Sequence, residues 1–142
     1  MLCQLCPSLR CCLLLLLFPL ASSSASNGDT VVITSSGPIK GKRFLAGPGS
    51  VTAYLGIPYA EPPLGKLRFQ KPLQHQPWTQ TLETTSFGNS CPQFIFRYVP
   101  EAEAWSPKTP LSEDCLSLNI WVPHPHPSSP VPVSVWIHGG GY

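Results

Sequence analysis

The sequence predicts an incomplete α/β fold, in which a small antiparallel β meander precedes the first strands of a central sheet. Short β-branched runs at residues 31–34 (VVIT) and 51–55 (VTAYL), separated by glycines and prolines, indicate the meander. Residues 133–137 (VSVWI) indicate the central sheet, because a nearly continuous apolar run suits a strand that is covered on both faces. Few helices are expected, since 18 prolines and 11 glycines in 142 residues favour short strands and turns.

The first 25 residues have the features of a secretory signal peptide. Arg10 supplies a positive charge, residues 11–20 (CCLLLLLFPL) are apolar, and residues 23–25 (SSA) are small enough for a cleavage site. A membrane anchor is the alternative, but it needs roughly 20 apolar residues and this run is far shorter. No later segment is apolar enough to span a membrane. We therefore expect a secreted chain of one domain at residues 26–142, in an oxidising compartment.

The middle of the chain predicts loops followed by one strand. Prolines in residues 56–72 (GIPYAEPPLGKLRFQKP) block both a helix interior and a central strand, so an ordered loop is expected. Residues 74–110 show no sustained period, and their scattered aromatic side chains need a partner surface. Residues 115–122 (CLSLNIWV) alternate in the period of a half-buried strand. The prolines at residues 123–132 (PHPHPSSPVP) then indicate an exposed connection.

Three adjacent glycines, Gly139, Gly140 and Gly141, follow the apolar run at residues 133–137. Glycine lets the backbone approach a ligand closely, so that several N–H groups can point at one spot. An HGGG-type turn after a buried strand can form part of an oxyanion hole, which stabilises negative charge on a carbonyl oxygen during acyl transfer. The alternative is a flexible turn, which three glycines by themselves would also produce.

Cysteine usage predicts one disulfide. Four of the six cysteines lie in the signal segment, which leaves Cys91 and Cys115. In a secreted chain we expect these two to bond to each other, unless one pairs with a cysteine outside this chain. Closing a loop of this size would stabilise the folded state by about 3 kcal/mol in the chain-entropy account.

Charge and histidine content argue against several kinds of partner. The net charge is +2, only 11% of residues are charged, and there is no run of Lys or Arg, so neither nucleic acid nor an anionic membrane surface is expected to bind. His124 and His126 alternate with prolines, and no Cys, Asp or Glu lies nearby at ligand spacing. We therefore expect no metal and no cofactor.

Three ordered blocks resemble the type-B carboxylesterase family, which includes the cholinesterases. They are residues 56–63 (GIPYAEPP) with 67–69 (LRF), residues 113–123 (EDCLSLNIWVP) and residues 136–141 (WIHGGG). The resemblance covers nearly all of the chain after the signal segment. Within the family, the sequence is more similar to acetylcholinesterases than to liver-type carboxylesterases. The resemblance implies the N-terminal part of an α/β-hydrolase fold and the hydrolysis of small carboxylic esters. Ser117 departs from the family, which usually carries an aromatic residue or Thr at that position.

The resemblance also implies three features that are each made by two residues: the first disulfide of the family, the donors of the oxyanion hole and an ion pair. In this sequence the residues are Cys91 with Cys115, Gly140 with Gly141, and Arg68 with Glu113. For the ion pair, the alternative is two unrelated exposed charges, which would contribute very little at the surface.

The spacing from Trp105 to Cys115 is similar to that of cholinesterases, in which the matching Trp binds the quaternary ammonium of choline. A Trp face suits this ligand, because its quadrupole attracts a cation by about 2 kcal/mol or more when desolvated. The alternative is a Trp buried in the core. The acidic peripheral-site residue of cholinesterases has no evident counterpart, so choline esters and general carboxylic esters both remain open as substrates.

The groups that would attack an ester are missing from the sequence. It contains no G-x-S-x-G motif for a nucleophilic Ser, and no acid and His after it. We therefore expect a chain truncated before the nucleophile, inactive and unstable alone, since partners of residues 133–137 would lie beyond residue 142. A second hypothesis is a catalytically inactive, neuroligin-like adhesion protein, and a third is a secreted product with a decoy or chaperone-binding role. The sequence does not indicate an oligomeric state.

Overall fold

The computed structural model describes residues 30–95 and 98–139. Its elements in chain order are β1 (Val31–Ile33), β2 (Pro38–Lys40), β3 (Lys42–Ala46), β4 (Gly49–Pro58), a 3-10 helix (Gly65–Leu67), β5 (Leu82–Glu83), α1 (Pro100–Glu103) and β6 (Ser117–His124). The signal peptide predicted at residues 1–25 lies outside the described residues, as do Gly140 and Gly141. In the described part, no helix is long and apolar enough to cross a membrane.

The strands form two three-stranded sheets, in the orders β1-β2-β5 and β3-β4-β6. The β1–β2, β3–β4 and β4–β6 pairs are antiparallel, whereas β2 and β5 are parallel. The strands predicted at residues 31–34 and 51–55 are confirmed as β1 and β4, and β4 extends further at both ends. The prediction that they form one antiparallel meander is wrong, because β1 pairs with β2 in one sheet and β4 pairs with β3 and β6 in the other. Two small sheets with little helix are compatible with part of an α/β fold.

The hairpin of β3 and β4 turns at residues 47–48, where Gly47 has a φ of +57°. Glycine adopts this left-handed conformation without the steric penalty of a Cβ atom, so a tight reversal is possible between Ala46 and Gly49. The five paired residues of β3 are thereby brought alongside β4.

The core joins the two sheets, because Ile39 of β2 packs with Tyr54 and Ile57 of β4. Trp78, Leu82 and Val122 cover this cluster from its sides. Backbone hydrogen bonds reinforce the junction: Leu55 N donates to Thr84 O, and Thr84 N donates to Lys40 O, both at 2.8 Å. Trp78 thus has the partner surface that the scattered aromatic side chains of residues 74–110 were expected to need. Four others of this group are exposed: Phe87, Phe94, Tyr98 and Trp105.

Strand β6 begins two residues later than the sequence predicts, at Ser117, and continues to His124. Its alternation is that of a strand, but the prediction of a half-buried apolar face is only partly correct. Val122 packs on the core, while Leu118 is 39% exposed and Ile120 is 45% exposed. These two side chains are therefore open to solvent in the described part of the chain.

The strand predicted at residues 133–137 is not formed in the structure. Residues 131–139 have no regular secondary structure. The large apolar side chains of this segment are between 78% and 87% exposed: Val133, Val135, Trp136 and Ile137. A strand needs a neighbour for its backbone groups and a cover for its faces, and nothing in residues 30–95 or 98–139 supplies either.

Candidate functional site

Residues 61–73 form an ordered loop that is closed at its base. Glu61 N donates to Leu73 O at 2.9 Å, and the Glu61 carboxylate accepts a hydrogen bond from Gln76 N at 2.7 Å. The 3-10 helix Gly65–Leu67 fills the far end of the loop. A loop of this length with closed ends matches an Ω-loop, so the predicted ordered loop is confirmed from residue 61 onward. At its start the prediction is wrong, because residues 56–58 belong to β4, the middle strand of its sheet.

Arg68 leaves this loop and forms an ion pair with Glu113, in which Arg68 Nε donates to Glu113 Oε1. The guanidinium also lies 4.7 Å from the ring centroid of Phe69, whose φ of +61° is unusual for a bulky residue. The pair that the family resemblance implies is thus present in the structure. Because both side chains are more than a third exposed, we expect it to add only about 0–1 kcal/mol to stability. It connects the loop to the segment that precedes Cys115.

The Cys91–Cys115 disulfide is formed, with the two Cα atoms 5.1 Å apart. It closes a loop whose neck is held by further hydrogen bonds. Ser90 N donates to Pro110 O at 2.9 Å and Ser112 N donates to Ser90 O at 3.0 Å, so the two chain ends are joined beside the disulfide. The Ser90 hydroxyl adds a hydrogen bond of 2.7 Å to the hydroxyl of Thr109. Sequence patterns did not single out Ser90, which lies directly before the first cysteine.

Trp105 lies within this disulfide loop, just after α1, and its backbone N–H donates to Ala102 O at 3.2 Å. The side chain is 88% exposed. Within the described residues, therefore, no core packs around this ring. Binding of a desolvated cation would require a second surface over the ring, and residues 30–95 and 98–139 provide none. The cation-binding role of Trp105 stays a prediction.

The glycine run is described only as far as Gly139. His138 Nδ1 and Gly139 O are 2.8 Å apart, a hydrogen bond in which the imidazole N–H donates to the carbonyl. Gly140 and Gly141 lie outside the described residues, so their role as oxyanion-hole donors also stays a prediction. The structure does bring together the other two predicted pairs, Arg68–Glu113 and Cys91–Cys115. The second residues of these pairs, Glu113 and Cys115, are only two positions apart in the sequence.

A further contact that the sequence did not reveal joins β4 to β6. The backbone N–H of Gly56 donates to Asn119 Oδ1 at 2.9 Å, at the point where the β4–β6 register shifts between Tyr54 and Ile57. A glycine inside a strand pattern indicates a bulge or a close backbone approach, and this is the signal from which the irregularity could have been predicted.

The histidines near the end of β6 form a small cluster with Arg43. Arg43 Nη2 donates to His124 Nδ1 at 3.4 Å, and the His124 and His126 rings meet edge to face with centroids 5.5 Å apart. Since a guanidinium has no acceptor, this contact requires an unprotonated Nδ1 on His124. Among the described residues, no group of three or more His, Cys, Asp or Glu could hold a metal ion.

Comparison with known proteins identifies relatives across nearly the whole chain. The family model described as the carboxylesterase family matches residues 28–142. A cholinesterase of Mus musculus is 44% identical over 133 residues, which are 92% of this chain and 22% of that protein. The chain therefore spans about a fifth of the length of this curated relative.

Proposed function

Because the chain belongs to the carboxylesterase family, we propose that it forms the N-terminal part of a secreted serine hydrolase that cleaves choline esters. The observation that carries this proposal is the 44% identity to mouse cholinesterase over 92% of the chain. The matched region includes the ion pair Arg68–Glu113 and the disulfide Cys91–Cys115, which support the same assignment. The name of the relative favours a hydrolase over the adhesion protein considered from the sequence.

In the proposed reaction, the backbone N–H groups of Gly140 and Gly141 donate hydrogen bonds to the substrate carbonyl oxygen when it becomes an oxyanion. Such donors act because they are already oriented when the charge develops, and removing one typically slows turnover by about 10²–10³-fold. The Ser nucleophile, the His base and the acid belong to polypeptide outside this sequence. The 142-residue chain contains no G-x-S-x-G motif and is proposed to be inactive by itself.

Trp105 is proposed to bind the quaternary ammonium group of the substrate. A cation over an exposed Trp gains only about 0.5–1 kcal/mol, whereas a desolvated one gains about 2 kcal/mol or more. Since Trp105 is 88% exposed in the structure, the proposal requires that other parts of the complete protein cover the ring. The disulfide loop would then hold Trp105 at the wall of the substrate site.

A chimera tests this function. Residues 28–142 replace the matching part of mouse cholinesterase, and the secreted chimera is assayed with a choline thioester. We expect hydrolysis, and we expect labelling of the chimera by a fluorophosphonate probe that reacts with serine hydrolases. The 142-residue chain alone serves as the control and should not react with the probe. A secreted chimera that retains the Cys91–Cys115 disulfide and reacts with the probe, but cleaves no choline thioester, would contradict the proposed substrate. Absence of all ester hydrolysis and of labelling would contradict the enzyme assignment.

A further inference from the structure

The segment that carries Trp105 depends on its surroundings for its shape. It begins with α1 (Pro100–Glu103), which has four residues, whereas an isolated helix shorter than about 12–15 residues is marginal in water. The turn continues into Trp105, whose backbone N–H donates to Ala102 O at 3.2 Å. The position of the Trp105 ring must therefore be maintained by contacts that α1 does not make within itself.

Lys108 makes the first of these contacts. Its Nζ donates to Glu103 O at 3.2 Å, at the carboxyl end of α1. Lysine side chains near the C-terminus of a helix bond its last carbonyl groups and interact favourably with its dipole. The contact joins residues that lie two positions before and three positions after Trp105, so it closes the turn that carries the ring.

The hydroxyl groups of Ser90 and Thr109 make the second contact. They are 2.7 Å apart and partly buried, and either one can donate. Ser90 lies directly before Cys91, and its backbone is bonded to the other side of the loop through Pro110 O and Ser112 N. Ser90 is therefore a fixed point at the neck of the disulfide loop, and the Thr109 hydroxyl attaches the turn of Trp105 to it.

These contacts lie outside the two sheets. Ser90, Lys108 and Thr109 belong to no strand, and the core cluster is built on β2 and β4. Loss of one hydroxyl at the neck should therefore leave the fold intact while it loosens the turn that carries Trp105. A cation–π contact is sensitive to such loosening, because the cation must lie over the ring face within about 6 Å of its centroid.

We propose that the Ser90–Thr109 hydroxyl pair positions Trp105 and thereby sets the preference of the complete protein for cationic over uncharged esters. The inference rests on the proposed function, because it requires that Trp105 meets the quaternary ammonium group. The pair acts through Trp105 and does not touch the substrate. Both hydroxyls are uncharged, so their removal changes the position of the ring without changing the local charge, whereas a substitution of Lys108 would change both.

The mouse cholinesterase chimera tests this role. Its kcat/KM is measured for a choline thioester and for the carbon isostere, in which a tert-butyl group replaces the trimethylammonium group. Ser90→Ala and Thr109→Val each remove one hydroxyl, and we expect each to lower the ratio of the two constants roughly three- to tenfold, mainly through the KM of the choline thioester. Thr109→Ser keeps the hydroxyl and should keep the ratio. The double variant should lower the ratio no further than either single variant, because the same hydrogen bond is lost in each.

Two controls separate positioning from stability. Thr84→Val removes a hydroxyl that donates to Lys40 O at 2.9 Å, so it weakens the junction of the sheets without altering the loop, and the ratio should stay constant. In a Trp105→Ala background the ratio is already low, and Thr109→Val should lower it no further. A further fall in this background, or a similar fall from Thr84→Val, would overturn the inference.

The outcomes also separate this inference from the proposed function. An unmodified chimera that cleaves neither thioester, or a ratio that Trp105→Ala leaves unchanged, would contradict the proposed function and the inference with it. A ratio that falls for Trp105→Ala but stays constant for Ser90→Ala and Thr109→Val would overturn the positioning role and leave the proposed function intact. Equal losses toward both thioesters in these two variants would do the same, because they would indicate general damage to the loop.

Discussion

Asn119 on β6 accepts a hydrogen bond from the backbone N–H of Gly56 on β4, across 63 residues of sequence. The contact lies where the register between the strands shifts, so the side-chain oxygen replaces a ladder partner for that N–H group. Polar groups that leave a ladder need such a replacement when they are removed from water.

Replacing Asn119 by Ala should lower the free energy of unfolding by about 1–3 kcal/mol, because the partly buried Gly56 N–H would lose its acceptor. Asn119→Asp keeps an oxygen at the same position and should retain most of the stability. Urea unfolding of both variants in the mouse cholinesterase chimera, followed by Trp fluorescence, measures both values. Equal losses in the two variants would show that the oxygen is not the important group.

Gly56 and Gly65 provide a matched pair of left-handed glycines, with φ values of +71° and +54°. Ala at either position should lower the free energy of unfolding by about 1–2 kcal/mol, because in the left-handed conformation its Cβ atom lies too close to a backbone carbonyl oxygen. At Gly56 the new Cβ atom would also lie 2.9 Å from Ser86 O and 3.0 Å from Gly88 N, whereas at Gly65 it meets nothing within 4 Å. We expect Gly56→Ala to cost about 1–3 kcal/mol more than Gly65→Ala, because backbone atoms must shift to relieve the contact. Urea unfolding of the two variants compares these losses directly, and equal losses would contradict the close approach.

Thr52 and Thr84 are both 1% exposed but differ in their hydrogen bonding. The Thr52 hydroxyl has no hydrogen-bond partner among the described residues, whereas the Thr84 hydroxyl donates to Lys40 O at 2.9 Å. Val has nearly the shape of Thr and lacks the hydroxyl. Thr52→Val should therefore raise the free energy of unfolding by about 1 kcal/mol, and Thr84→Val should lower it by a similar amount. Thermal unfolding of both variants decides the signs, and a destabilised Thr52→Val would show that this hydroxyl does have a partner.

Trp105 and Phe94 allow a test of cation recognition within one disulfide loop, since both side chains are 88% exposed. In the mouse cholinesterase chimera, Trp105→Ala should raise the KM for a choline ester roughly 10–30-fold, as expected for the loss of a desolvated cation–π contact of about 2 kcal/mol. The KM for an uncharged ester should change little. Phe94→Ala should leave both constants near those of the unmodified chimera. A similar increase for charged and uncharged esters would indicate general damage to the loop.

Local sequence patterns predicted the strands that carry strong β-formers and failed where pairing depends on context. β1 and β4 contain β-branched runs and formed as expected. β2 is only three residues long and begins with Pro38, and β3 begins with two charged residues, so neither shows a strand pattern alone. They are strands because a neighbouring strand supplies their hydrogen bonds.

The apolar run at residues 133–137 shows the opposite case. Its pattern has the right composition for a buried strand, but composition cannot supply the adjacent strand, and in the structure the segment is exposed. Burial depends on what surrounds a segment, which periodicity does not report. For the candidate site, the cysteine count and the family resemblance were sufficient to predict the Cys91–Cys115 disulfide. The Gly56–Asn119 contact was not predicted, because it depends on a register shift between distant strands.

Among the described residues, the loop between Cys91 and Cys115 is held near its neck by the disulfide, by the hydrogen bonds of Ser90 and by the Arg68–Glu113 ion pair. The hydrogen bonds of α1 and Trp105 at the tip of the loop are made to other residues of the loop. Substitutions or small length changes at the tip should therefore leave the stability of the core nearly intact. This separation would let ligand preference diverge among relatives while the scaffold stays the same.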